Sequence, residues 1–455
     1  MKWTTKQLYT IGSVILSLLF FSLVYFSASI YPNLSEFSFY LFLAEILRFD
    51  FSIPWLSSLL RASLLLVFFI SLYDVVQSWK HRFFMMVLLL TVPVLSLYAM
   101  FLSVEFFFVF VSFFIVLSQG RFRSSDNITF YFVGLILCSL FLPVGLLVNV
   151  VLLAYFLLVW VAAMRKSLDE SYIIFSSSFF ILLATVTFHL DELRQLGVNA
   201  VTGNVPSLIE STFFSVLTIV DIAQWMGFPL LFLGLVGIYD SLWVSLKKEG
   251  LLWLSGLLTI FFFYTLNIIS TQYVVALVLS PLLLFSYVGI KTLEESFHTY
   301  IYSVKTGFVV LGVVIFSFSV LTAILTASTF TNDDVLLETE KEAFEHIGNT
   351  LPQDSITFIS PVYADAFSYY ANRDVAVSSR YTEYTFVNQR YEDLLFLERQ
   401  RFLTNIVGVL NRYGVSHIVL SKSSDLIESI EGEDCFPLLD EVSSFKIFEV
   451  GCTLS

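Results

Sequence analysis

About eleven apolar stretches of roughly 17–25 residues follow one another along this chain, each long enough to cross a hydrocarbon core. They begin near Leu8, Leu59, Phe83, Val104, Ile128, Val148, Tyr172, Met226, Leu251, Tyr273 and Gly307. In lipid every backbone amide must be bonded within its own segment, so each such stretch must be helix. The composition agrees, with 57% hydrophobic and only 13% charged residues among 455. The first stretch is longer than the apolar core of a cleaved signal, and no A-x-A-like site follows it. The expectation is a polytopic α-helical membrane protein with about 11 transmembrane helices.

Short loops orient the spans. Lys2 and Lys6 precede the first, and basic clusters "WKHR" (79–82), "GRFR" (120–123), "MRKS" (164–167) and "LKKEG" (246–250) follow at alternate ends. Lys291 and Lys305 flank the loop between the tenth and eleventh spans. The intervening loops carry Arg48, Arg61 and Arg194. The positive-inside rule then puts the N-terminus in the cytoplasm, and eleven spans put the C-terminal part outside.

Residues 1–330 form the transmembrane domain and 331–455 an extracytoplasmic soluble α/β domain. The second region carries 21 Asp and Glu against nine Lys and Arg, so nearly all of the chain's net charge of −13 lies there. Neither part is basic enough to bind nucleic acid. Helical spacing runs through 334–350 and 391–414, and strand-like runs occupy 355–360, 374–379 and 416–421, with Pro361 closing the first strand. This alternation implies a small parallel sheet covered by helices. Residues 436–450 read as a hairpin with Ser443 and Ser444 in the turn. Cys435 and Cys452 stand at its outer ends, and export favours a disulfide between them over two thiols.

The chain shows no zinc spacing, no Gly-rich phosphate loop and no GxSxG. The absence of internal repeats and of acids deep in mid-span argues against a transporter. Candidate functional groups are therefore the few ionisable residues at the outer membrane edge. Glu105 opens the phenylalanine run "VEFFFVF" (104–110), and Glu36 lies in the long first outer loop. "FHLDELRQ" (188–195) gathers His189, Asp191, Glu192 and Arg194 at the outer end of the seventh span, as either a solvated helix end or a substrate contact. Asn33-Leu34-Ser35 matches the N-glycosylation tripeptide.

Several stretches resemble the GT-C class of integral-membrane glycosyltransferases, which includes protein mannosyltransferases and oligosaccharyltransferases. They are "WMGFPLLFLGLVGIYDSL" (225–242), "TQYVVALVLSPLLLFSYVGI" (271–290), "AFEHIGNTLPQDSITFISPVYADAFSYYANRDVAV" (343–377) and "LNRYGVSHIVLSK" (410–422). The resemblance implies catalytic carboxylates at Glu36 and Glu105 on facing walls of one outward cavity. It implies a sugar donor on a polyprenyl phosphate drawn from membrane lipid, and a protein or glycan acceptor. Arg48, Arg61 or Arg194 would hold the donor phosphate, with His189 and Asp191 as further substrate contacts. A divalent Mg or Mn ion is a possible cofactor. The chain departs from the pattern in having Glu in the first loop where Asp is usual, and Thr271-Gln272 where Arg is frequent. An inactive scaffold of the same fold, binding lipid or a partner protein, is the alternative expectation.

Overall fold

A computed structural model describes chiefly residues 53–96, 104–119, 125–161, 168–190, 225–244, 248–266, 271–300, 338–376 and 402–452. The chain divides into two compact units, one built on the helices between residues 54 and 300 and one on residues beyond 333. The first and eleventh expected spans lie almost wholly outside the described residues.

The first unit is a helix bundle. Its helices are α1 (Ile53–Val75), α2 (Trp79–Thr91), α3 (Val104–Gln119), α4 (Ser125–Ser139), α5 (Leu142–Val161) and α6 (Leu168–Phe188). After them come α7 (Phe228–Tyr239), a π turn (Asp240–Val244), α8 (Lys248–Thr265) and α9 (Thr271–Tyr300). Among the described residues, Leu142–Val161 and Tyr273–Ser296 are long and apolar enough to cross a membrane, and four shorter apolar helices accompany them. Large apolar side chains stand exposed on several helices, among them Leu157, Trp160, Phe175, Phe179, Phe232 and Phe261. In water that surface would drive association, whereas hydrocarbon solvates it.

Helix α1 starts six residues before the apolar run at Leu59, because Pro54 is tolerated in a first turn whose amides have no intrahelical acceptor. Its far end is closed by Arg82, which donates to the carbonyls of Val76 and Tyr73, both at 2.7 Å. A cation there satisfies carbonyls that the helix leaves unbonded. The phenylalanines of α3 build the core: Phe68 of α1 lies 5.0 Å from Phe110 and 4.8 Å from Phe114. Helices α7 and α9 cross at glycines. A Cβ at Gly237 would lie 1.8 Å from the Phe285 carbonyl oxygen, and one at Gly289 2.1 Å from that of Leu233. Where lipid surrounds helices, such small-residue crossings let backbones gain packing that apolar burial does not supply.

These contacts set the helix directions. Helices α1, α3, α7 and α9 start at one end of the bundle, where α4 and α6 finish. The opposite end carries the charged partners. There His81 Nε2 meets Glu294 at 2.6 Å, Lys80 Nζ approaches the same carboxylate at 3.8 Å, and Gln119 donates to Asp74 at 3.3 Å.

The second unit contains α10 (Glu338–Thr350), β1 (Ile356–Ile359), α11 (Pro361–Ala371), β2 (Asp374–Val375), α12 (Leu403–Arg412), β3 (His417–Ser421), α13 (Leu426–Ile430), β4 (Leu438–Val442) and β5 (Phe445–Glu449). The strand order is β2-β1-β3-β5-β4. Pairs β1–β2 and β1–β3 are parallel, while β3–β5 and β5–β4 are antiparallel. The sheet is thus mixed rather than parallel as expected, because the closing hairpin joins it through β5. Pro361 opens α11 instead of merely ending β1, its missing amide proton costing nothing at a helix start. Alternate strand residues face opposite sides. Phe358, Ile418, Leu420 and Phe448 pack with Ile406 and Leu410 of α12. On the other side Phe445 meets Phe344 of α10 at 5.1 Å and Tyr363 of α11 at 5.6 Å.

A disulfide joins Cys435 to Cys452, with Cα atoms 5.0 Å apart. The Gly451 amide donates to the Cys435 carbonyl at 2.9 Å, continuing the hairpin to that bond. With 17 residues of separation, its loss through Cys435→Ser with Cys452→Ser is expected to cost about 3 kcal/mol. Denaturant unfolding of the full chain in detergent, followed with and without reductant, measures this.

Burial holds the His417 imidazole below its usual 6.5, and Glu449, its partner across β5, offsets this in part. The folded unit therefore binds this proton less readily than the unfolded chain. Stability from this group is complete above about pH 6.5 and declines as pH falls below it. The protection factors of β3 amides, the intrinsic exchange rate at each pH divided by the observed rate, are expected to fall on acidification between pH 7.5 and 5.5 in the wild type, and less so in His417→Gln.

Candidate functional site

The end of the bundle that lacks the His81–Glu294 cluster collects the candidate residues that can be described. Glu105 is the second residue of α3. One turn later Phe108 meets Phe141, with ring centroids 5.8 Å apart. Phe141 lies in the two-residue link between α4 and α5, and it meets Tyr273 in the first turn of α9 at 6.3 Å. His189 follows the last residue of α6, and its Nε2 donates to the Ser139 carbonyl at the end of α4, 3.2 Å away. That bond assigns the proton to Nε2 in the neutral ring and leaves Nδ1 as an acceptor. Four segments distant in sequence thus meet around the start of α3.

Arg61 departs from expectation. It sits inside α1 rather than in a loop, and its side chain is fully buried. The guanidinium carbon lies 5.7 Å from the Phe107 ring centroid. At about 100° per residue, Phe107 is about 200° around α3 from Glu105. Arg61 therefore belongs to the α1-facing side of α3, and Phe108 to the α4-facing side. Both sides belong to the same end of the bundle. The cause is the early start of α1, which carries Arg61 two turns into the helix. A cation over an aromatic face is a favourable arrangement where water is scarce.

Arg194 is exposed, one turn beyond His189, whose carbonyl accepts from the Leu193 amide at 2.9 Å. Glu36, Arg48 and Asp191 lie outside the described residues. Among the described residues, no group of three His, Cys, Asp or Glu could hold a metal ion. Cys435 and Cys452 belong to the second unit as a structural bond.

The meeting of Phe108, Phe141 and Tyr273 was not expected from the sequence. The available signal was weak: Phe141 stands two residues before Pro143 between two apolar runs, and Tyr273 opens its span.

The arrangement has a local stability consequence. His189→Ala removes the bond between the ends of α6 and α4, and is expected to lower stability by about 0.5–1.5 kcal/mol. Thermal unfolding in detergent checks it.

No family model matches the chain, and no curated protein matches it. Solved structures do. The archaeal oligosaccharyltransferase AglB from Archaeoglobus fulgidus, in complex with an inhibitory peptide and a dolichol-phosphate, superposes with a TM-score of 0.60 at 11% identity, over 92% of this chain and 70% of that one. ArnT from Cupriavidus metallidurans, bound to undecaprenyl phosphate, superposes with a TM-score of 0.52 at 12% identity, over 97% of each chain. The oligosaccharyltransferase also matches in a complex with Zn and sulfate, at a TM-score of 0.56 and 11% identity, over 92% of this chain and 68% of that one. At these identities the superpositions show a shared fold: this chain folds as the archaeal oligosaccharyltransferase and ArnT do.

Proposed function

We propose that this protein is a membrane glycosyltransferase that moves a sugar from a polyprenyl-phosphate donor to a protein or glycan acceptor on the extracytoplasmic face. The observation that carries this reading is the convergence of α3, the α4–α5 link, the end of α6 and the start of α9 at one end of a GT-C fold. The bound dolichol-phosphate and undecaprenyl phosphate of the two neighbours support a donor of that chemistry. In this reading residues 1–330 form about 11 spans with a cytoplasmic N-terminus. Residues 331–455 lie outside, where the Cys435–Cys452 bond persists.

Transfer needs a base for the acceptor and charge stabilisation for the departing lipid phosphate. Glu105, with Glu36, supplies the carboxylates. In a site with little water a carboxylate is a stronger base than in bulk. Arg61, whose guanidinium lies over Phe107 in the first turn of α3, balances phosphate charge, with Arg48 and Arg194 as further outer cations. His189 and Asp191 orient substrate at the end of α6. An Mg or Mn ion held partly by substrate oxygens is compatible with this chemistry.

The test is transfer of labelled sugar from a panel of polyprenyl-phosphate donors by the full chain, with Glu36→Gln and Glu105→Gln beside wild type. Loss of about 10²–10⁴-fold in either variant, with unfolding temperature unchanged, is expected for a general base. Transfer unchanged in both removes the carboxylate assignment. No transfer by wild type across donors and metals favours the inactive scaffold.

A further inference from the structure

The phenylalanines of α3 sort by burial. Phe106, Phe107, Phe110, Phe113 and Phe114 are fully enclosed, whereas Phe108 is only half-buried. Phe141 and Tyr273 are half-buried as well. The three rings touch in series, inclined at 60° and 63°, and form an angled wall. They come from three separate elements, so no local sequence preference groups them. Their burial lies between that of the enclosed core rings and that of Phe175 and Phe179, which stand about two-thirds exposed. Glu105 precedes Phe108 by three positions, a spacing that shares one helix face. His189 is tied to Ser139, two residues before Phe141.

We infer that Phe108, Phe141 and Tyr273 form the wall against which the donor's sugar ring packs, and that they set which sugar is accepted. This rests on the glycosyltransferase reading above. A sugar ring has an apolar face of C–H groups and a rim of hydroxyls. Aromatic rings bury the face, and Tyr adds a polar tip suited to the rim. The His189 imidazole, bonded two residues before Phe141, is a further polar group suited to those hydroxyls. A prenyl tail, by contrast, needs a long apolar track and no polar rim.

Native mass spectrometry of the full chain in detergent tests the inference. Bare undecaprenyl phosphate competes there against the same lipid carrying a hexose, an N-acetylhexosamine or a pentose. Wild type is expected to prefer at least one sugar-bearing lipid by about tenfold or more. Tyr273→Leu and Phe141→Leu are expected to bring that preference to within about twofold while binding the bare lipid as wild type does. Tyr273→Phe, which keeps the ring, is expected to keep most of the preference. Should Phe141→Leu fail to fold, Tyr273→Leu carries the test. Equal weakening of bare and sugar-bearing lipid would show that the rings hold the prenyl chain, overturning the inference. Preference surviving in both leucine variants, or absent in wild type that binds the bare lipid, would overturn it too and leave the lipid-donor reading standing. Wild type that binds none of these lipids would remove both.

Discussion

Hydrocarbon satisfies no hydrogen bond, and the helix bundle follows from that. Backbone amides bond within helices, and many of the polar side chains left over bond to nearby carbonyls or to each other. Ser112, Ser118, Ser139 and Ser255 each return a hydrogen bond to a carbonyl three residues back in their own helices. Ser178 pairs with Asn149 between α5 and α6, and Ser280 reaches from α9 to the Phe110 carbonyl of α3 at 3.1 Å. Most charged partners are driven to the ends of the bundle. One end takes the His81–Glu294 contact and the Arg82 cap, and the other takes His189 and the start of α3.

Since lipid does not push apolar helices together, close packing must locate them. The glycine crossing of α7 and α9 and the Phe68–Phe110–Phe114 cluster of α1 and α3 provide that location. They hold α9 against α7 and α1 against α3, so Tyr273 and Phe108 arrive at the same end in a fixed relation. The second unit uses the ordinary aqueous route. It buries two apolar sheet faces and closes its last hairpin covalently.

Much of this was legible in the chain. Continuous apolar runs announce membrane helices, and α3, α6 and α9 lie within four residues of the starts expected for them. The hairpin and the Cys435–Cys452 placement read from turn residues and strand alternation. Errors arose where one residue type has two structural meanings. Pro361 is both a strand terminator and a good first helical residue, and the helix it opens was missed. Arg61 reads as a loop cation because arginine is expensive in hydrocarbon, yet its stem and planar head sit over Phe107 inside α1. The strand expected at 374–379 is present as β2, whereas the short helix α13 is too brief to carry a period.

By itself the sequence determined that this protein is built of membrane helices followed by an acidic α/β region, because hydropathy and charge act locally and need no knowledge of neighbours. It also marked Glu105 as a carboxylate at a membrane edge. Only the tertiary structure decided what surrounds that position. The meeting of Phe108, Phe141 and Tyr273, the bond from His189 to Ser139 and the separation of Arg61 onto another side of α3 depend on which helices pack and in which rotation. Those choices are made by glycine crossings and ring packing between residues up to about two hundred positions apart, and no periodicity within one segment encodes them.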